Sequence, residues 1–289
     1  MSIGRPAVGQ AGIPIGDAVY CVHVITVSYN SNEALRQFAS SLIQQESSNW
    51  RLTIVDNSDV SPVSPEELHE LFSDEYRKVK LIRSQDNIGY MPALALGRKL
   101  NLGGEEEITL VANPDLEFGS LFIGNLIRLH HERPQSILAP SIRDSRTGLD
   151  GNPFQSEKPS VTSVLRGALF NPSSPLARFT FGRYRQRVES GNVLAHEIYA
   201  PHGAAISFPP EFFSRGGNLD YAHALFGEED FVARQAAAIG VPVWYEPSLH
   251  VYHRAGHATG SRSQFVRAQQ RAAGWRLLWE SLKDQVTGR

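Results

Sequence analysis

The chain carries a single cysteine, Cys21, which excludes a disulfide framework. Cys21 sits at the head of an apolar, strand-like run and reads as a small buried hydrophobe, as suits a reducing compartment. No run approaches the ~18 consecutive apolar residues of a membrane-spanning helix. Residues 1–19 are rich in Gly, Pro and Ala and lack the apolar core of a signal peptide. They are expected to form a flexible arm, on a protein made and kept in the cytoplasm. A net charge of only -2 argues against nucleic acid as a partner. Neither a P-loop nor Gly-x-Gly-x-x-Gly follows the first predicted strand, so P-loop ATPases and NAD-dependent dehydrogenases lose their main support. The absence of a His-x-x-x-His helix bearing an acid argues against a zinc hydrolase.

What is present is an alternation of apolar strands and amphipathic helices. Residues 21–29, 52–55, 79–82 and 108–112 read as buried strands. Helices are expected after Ser31-Asn32-Glu33, after Ser64-Pro65 and over residues 91–102, ending near Gly103-Gly104. This spacing predicts a mostly parallel, doubly wound sheet of α/β class for the first ~115 residues. Beyond Asp115 come a helix at 121–131 and a short strand at 137–140. A Pro-, Ser-, Gly- and Arg-rich stretch at 143–191 reads as loops. Regular structure resumes at 197–208, 228–239 and 243–245, and a last helical pattern covers 264–283.

Polar residues gather at the predicted C-terminal ends of the strands, where open α/β sheets bind ligands. Tyr29 closes the first strand. Asp56 and Asn57 close the second, where a carboxylate can accept hydrogen bonds from a base or ribose. Asn87-Ile88-Gly89 turns from strand to helix, and Gly89 permits close backbone approach of a phosphate. Asn113-Pro114-Asp115 follows the fourth strand, and Asp115 can ligate a hard divalent cation bridging a diphosphate. His253, with His257 four residues on, offers an imidazole as a further ligand.

Together these elements resemble an inverting glycosyltransferase of family 2, with the GT-A fold and rhamnosyltransferase-like features. The resemblance covers about residues 21–260. It rests on Val24-Ile25-Thr26-Val27-Ser28-Tyr29-Asn30, Val55-Asp56-Asn57-Ser58, Asn87-Ile88-Gly89-Tyr90 and Asn113-Pro114-Asp115. Farther on it includes His202-Gly203-Ala204-Ala205, Gly216-Gly217-Asn218-Leu219-Asp220 and Glu228-Glu229-Asp230. It implies a Rossmann-like nucleotide-sugar half (20–115), an acceptor half (116–260) and a C-terminal helical segment (261–289). Tyr29, Asp56, Asn57, Asn87, Gly89, Asn113 and Asp115 would hold the donor. Asp115 and His253 would hold Mg²⁺ or Mn²⁺. The chain departs from the family pattern at Asn113, which stands where the metal motif has its first aspartate, and at Glu229, where the base is usually aspartate.

The implied reaction is an inverting displacement at the anomeric carbon of a dTDP- or UDP-sugar, rhamnose donors included. The acceptor is a hydroxyl of a glycan or lipid-linked saccharide, in cell-surface polysaccharide synthesis. An acceptor hydroxyl needs a carboxylate to take its proton. On a helix over 228–239, Phe231, Val232, Gln235, Ala236 and Ile239 would face inward. Glu228 would point inward, Glu229 would sit at the margin of that stripe, and Asp230 would pair with Arg234 on the surface. The resemblance places the base at the second acid, Glu229, with Glu228 as its rival. A non-catalytic nucleotide-sugar or glycan-binding protein is the alternative, supported by Asn113. A nucleotidyltransferase would want a Gly-rich basic loop where Ser28-Tyr29-Asn30-Ser31-Asn32 stands. The arginine-aromatic stretch 178–187 and the Leu- and Arg-bearing pattern of 264–283 add an expectation of peripheral contact with the inner face of the membrane.

Overall fold

The structure, a computed structural model, describes residues 20–100, 107–162, 194–223 and 226–253, and residues 272, 273, 275, 276, 279, 280, 282 and 283 of a C-terminal helical stretch. The expected N-terminal arm and the 178–187 stretch lie outside the described residues, as do His257 and most of 264–283.

Strands β1 (Val22–Ser28), β2 (Trp50–Asp56), β3 (Val79–Arg83) and β4 (Ile108–Ala112) pair in parallel in the order β3-β2-β1-β4. Every residue of β1 and β4 is buried, which is why these strands read as continuous apolar runs rather than alternations. The two-residue period of β1 divides it between two cores. Val22 and Val24 face one with α1 (Asn32–Ile43), α2 (Pro65–Phe72) and α4 (Phe122–Glu132). Ile25 and Val27 face the other with α3 (Tyr90–Lys99) and α6 (Glu228–Ile239). His23 interrupts the apolar run but is satisfied by Thr53 at 2.8 Å, and burial lowers its pKa to about 3, so it stays neutral. Ser64 caps α2 by accepting from the Glu67 N–H, with Pro65 in the first turn, as the sequence predicts.

Beyond β4 the sheet becomes mixed. The full order is β3-β2-β1-β4-β8-β6-β9-β5, with β7 (His196–Ile198) on β9. β8 (Ala205–Phe208) runs antiparallel to β4, while β6 (Ile137–Asp144) and β9 (Val243–His253) are parallel to each other. The parallel half expected from the sequence therefore ends at β4. Both late strands outrun their sequence signals. β6 continues past Pro140 through a register shift at Pro140/Ser141, and β9 runs for 11 residues, joining into one strand the strand-like stretches at 243–245 and 249–252. The 143–191 stretch also holds order within its described part: an Arg143–Asp150 bridge, with the Asp150 carboxylate taking hydrogen bonds from the Ile142 and Asn152 N–H groups and from Tyr245.

Two elements had no sequence signal. The three-residue β5 (Leu116–Phe118) pairs antiparallel with the end of β9, and the short α5 (Pro210–Ser214) follows β8. The β5–β9 register sets Leu116 opposite His253 and so brings Asp115 to His253, 138 residues away in the chain.

Candidate active site

At the ends of β1 and β2 the loops are tied by their own side chains. Asn30, at φ 52°, accepts from the Val60 and Ser61 N–H groups and donates to Asp59, which also takes the Tyr29 hydroxyl at 3.2 Å. Asp56 is fully buried, and its two oxygens accept from the Ser58 and Val63 N–H groups. Asp56 thus shapes the loop after β2. Asn57 points across to the start of α3. Its Nδ2 donates to the Gly89 carbonyl at 3.1 Å and lies 3.4 Å from the Asn87 Oδ1, which also accepts from the Gly89 N–H. That arrangement fixes the amide orientation and leaves the buried Asn57 Oδ1 as an acceptor without a protein partner. Gly89, at φ 91°, adopts a backbone that L side chains rarely reach. α3 lies so close to the sheet that a Cβ at Gly97 would be 2.8 Å from the Ile25 Cγ2.

The end of β4 builds a second group. Its ladder with β8 runs one step past the strand, with the Asn113 N–H donating to the Ala204 carbonyl at 2.8 Å. Asp115 is buried and its Oδ2 lies 3.0 Å from the His253 Nε2. That contact raises the His253 pKa. The Asp115 Oδ1 is buried with no partner. A buried carboxylate oxygen beside an imidazole could serve as part of a ligand set for a hard or borderline cation. Among the described residues no three His, Cys, Asp or Glu side chains cluster as a self-sufficient metal site.

Gly203 joins this group to the acids of α6. Its carbonyl accepts from the Tyr90 hydroxyl at 3.1 Å, and its N–H points at the Glu229 Oε1 at 3.4 Å. A Cβ here would lie 3.1 Å from the Glu228 Cγ and 3.2 Å from the Glu229 Oε1, so a methyl would press on both acids. Burial and the negative charges of Glu228, Asp115 and Glu229 all raise the Tyr90 pKa, which keeps its hydroxyl a donor. Tyr90 stands in the resemblance but not among the expected site residues. Its aromatic type at a helix start gave no sign of that position.

The acids themselves differ. Of the expected stripe of α6, Val232 and Ala236 are buried and Phe231 and Ile239 pack against the core, Ala233 is buried as well, and Gln235 departs from it. Gln235 is turned away to hold Asn218. Glu229 lies three and four residues before Val232 and Ala233, so it heads the buried stripe; the expectation that it sits at the margin is corrected. Each of the three acids keeps some exposed surface, yet the carboxyls of Glu228 and Glu229 are enclosed. Burial first, then the Glu228 charge, push the Glu229 pKa up to about 8, and burial raises that of Glu228. Asp230 has both oxygens engaged, by Tyr199 and by Arg234 at 2.6 Å each. Asp230 therefore serves the fold.

The structure brings Asp115, His253, Tyr90, Gly203, Glu228 and Glu229 around one centre, with Asn57, Asn87 and Gly89 beside it. Tyr29 and Asp56 belong to the loop at the outer wall.

The sequence profile of glycosyl transferase family 2 matches residues 23–191, more than half of the chain. A Mycobacterium tuberculosis N-acetylglucosaminyl-diphospho-decaprenol L-rhamnosyltransferase is 24% identical over 274 residues, covering 87% of this chain and 85% of that protein. Among solved structures, GalNAc-T7 with UDP, GalNAc and Mn²⁺ superposes with a TM-score of 0.58 at 15% identity, over 82% of this chain and 44% of that one. Staphylococcus aureus TarS gives 0.54 at 12% identity, over 91% and 43%. This chain thus spans less than half of each of those larger proteins, and the likeness shows a shared GT-A fold. The strand-end constellation, the fold and the profile match agree: the chain belongs to glycosyl transferase family 2.

Proposed function

We propose that this glycosyltransferase moves a sugar, with inversion, from a dTDP- or UDP-sugar to a hydroxyl of a lipid-linked saccharide, and that the sugar is rhamnose. The carrying observation is Glu229, a carboxyl at the head of a buried helical stripe, enclosed beside Glu228 and facing the Gly203 hub. In the reaction the acceptor oxygen bonds to the anomeric carbon as the bond to the diphosphate oxygen breaks. Glu229 takes the hydroxyl proton, and Glu228 orients the acceptor. The division into a donor half (20–115) and an acceptor half (116–260) follows, with the arm and the C-terminal helical segment outside it.

The donor base is read from Asn57. Its unpartnered Oδ1 is an acceptor, which matches the N3–H of thymine or uracil. Asp115 and His253 would hold Mg²⁺ or Mn²⁺, and the buried, unpartnered Asp115 Oδ1 fits that use. When bound, the ion would offset negative charge on the departing diphosphate. The rhamnose and lipid-linked acceptor assignments rest on the mycobacterial relative's name.

No described helix is long and apolar enough to cross a membrane. Trp275, Trp279 and Leu282 nonetheless stand exposed at helical spacing, with the Lys283 ammonium 5.5 Å from the Trp279 ring centre. Such a face suits peripheral docking at the cytoplasmic surface of a membrane, where a lipid-linked acceptor would lie. The test is transfer from dTDP-L-rhamnose to an N-acetylglucosaminyl diphospho-prenol, with Glu229→Gln alongside. A silent variant that still binds donor supports the reading, and normal turnover by it refutes Glu229 as the base.

A further inference from the structure

The turn that launches α6 is held from outside the catalytic sheet. Phe226 and Gly227 are both left-handed, at φ 64° and 98°, and Phe226 is a bulky residue for which that conformation is unfavourable. The Phe226 carbonyl receives two hydrogen bonds, from the Tyr221 hydroxyl at 2.8 Å and from the Arg276 Nη2 at 3.0 Å. A Cβ at Gly227 would lie 2.5 Å from the Tyr221 hydroxyl oxygen and 4.0 Å from the Ala273 Cβ, so the turn is closed in between Tyr221 and the C-terminal helical residues. The Arg276 Nε is enclosed and has no partner. Its guanidinium charge acts on the Glu228 carboxyl and on Tyr221.

We propose that Arg276 is a positioning residue for the acid pair: it braces the Phe226–Gly227 turn and sets a positive charge beside Glu228. This inference rests on the reading of Glu229 as the base. The physical argument is one of charge balance. Glu228 and Glu229 are adjacent enclosed carboxyls, and both cannot readily be ionised without a nearby cation. Among the described residues, the other groups facing them do not supply one. Asp230 on the same helix is negative and spent on Tyr199 and Arg234; Tyr90 from α3 and Tyr221 from the preceding loop are neutral hydroxyls. Arg276 brings the charge from a segment more than forty residues downstream and spends a hydrogen bond on the turn that aims both acids.

The test compares Arg276→Ala, Arg276→Lys and Glu229→Gln in transfer from dTDP-L-rhamnose to a short-chain N-acetylglucosaminyl diphospho-prenol. For Arg276→Ala we expect kcat to fall about tenfold, donor KM to stay within about twofold, and the acid limb of the pH–rate profile to move to higher pH. Arg276→Lys keeps the charge and should restore the limb. Backbone hydrogen exchange at 226–229 should quicken in Arg276→Ala. If Arg276→Ala keeps the wild-type limb and wild-type exchange, the inference is wrong. An equal loss at every pH that lysine does not rescue would make Arg276 a packing residue and also overturn it. If Glu229→Gln is active, the base assignment falls. If Glu229→Gln is silent while Arg276→Ala is wild type throughout, only the Arg276 proposal falls. A wild-type chain silent with this substrate pair refutes the substrate reading, and the exchange comparison then decides the brace.

Discussion

The two sides of the site are built to different standards of internal satisfaction. On the side proposed to take the nucleotide, at the ends of β1 and β2, Asn30, Asp59, Asp56, Asn57 and Asn87 spend most of their hydrogen-bonding capacity on one another and on nearby backbone. The loops are formed in advance, and Asn57 alone of these keeps a buried acceptor free. On the side built around Gly203, the Asp115 Oδ1 has no partner, and Glu228 and Glu229 share an enclosed space that disfavours their charge. On the proposed reading, the difference teaches that the recognition loops are ordered by folding itself, while the acids that would react are left strained in charge.

Substitutions should separate the sides, and the largest effect belongs to Glu229. Glu229→Gln should cut turnover by about 10²-fold or more with donor affinity nearly intact in titration calorimetry. Asp115→Asn comes next: turnover with Mg²⁺ or Mn²⁺ should drop sharply, and Mn²⁺ affinity measured by paramagnetic relaxation should weaken. Full wild-type activity in EDTA would remove the metal from the account. Gly203→Ala should then slow turnover by about tenfold by pushing a methyl against both acids, with thermal stability close to wild type.

The pH dependence gives a subtler contrast. The Glu229 pKa is raised in the folded protein, so its contribution to stability is complete below about 4.5, the ordinary glutamate value, and is lost as pH rises through about 8. Melting temperature should therefore fall between pH 5 and 8 in the wild type and fall less in Glu229→Gln. Activity should move the opposite way over the same window, because the base must be ionised. The smallest effect is expected at the membrane face. Trp275→Ser with Trp279→Ser should reduce flotation with anionic vesicles while leaving transfer to a water-soluble acceptor analogue unchanged.

The nucleotide side was also the more legible in the sequence. β1, β2, β4 and the Ser64-Pro65 start of α2 are local signals, written in runs and caps. Asp115, His253, Glu228 and Glu229 could be named as residue types at strand and helix ends. Their meeting could not be, because the β5–β9 register and the ladder step to Ala204 bring them together. β5 is too short to show a period, and β9 carries Glu246, Pro247 and Ser248 through its middle, which splits its pattern into two short strand-like stretches. The place of Glu229 on its helix is not legible because Ala233, a small residue, is buried while Gln235, at an inward-reading position, turns away to Asn218. Arg276 gave no sign of its part at the turn, since an arginine on an amphipathic stretch reads as a surface charge.

The 138-residue span between Asp115 and His253 has a kinetic meaning. The contact closes only when the last strand of the sheet docks in its correct register beside β5. Long-range pairings of this kind form slowly, after local helices and the β1–β2 crossover. A nascent or truncated chain that ends before His253 can have a folded nucleotide side and still lack the Asp115 partner. On the proposed metal reading, Mn²⁺ binding should return during refolding only when β9 has docked in register beside β5, which would make it a clock for that strand.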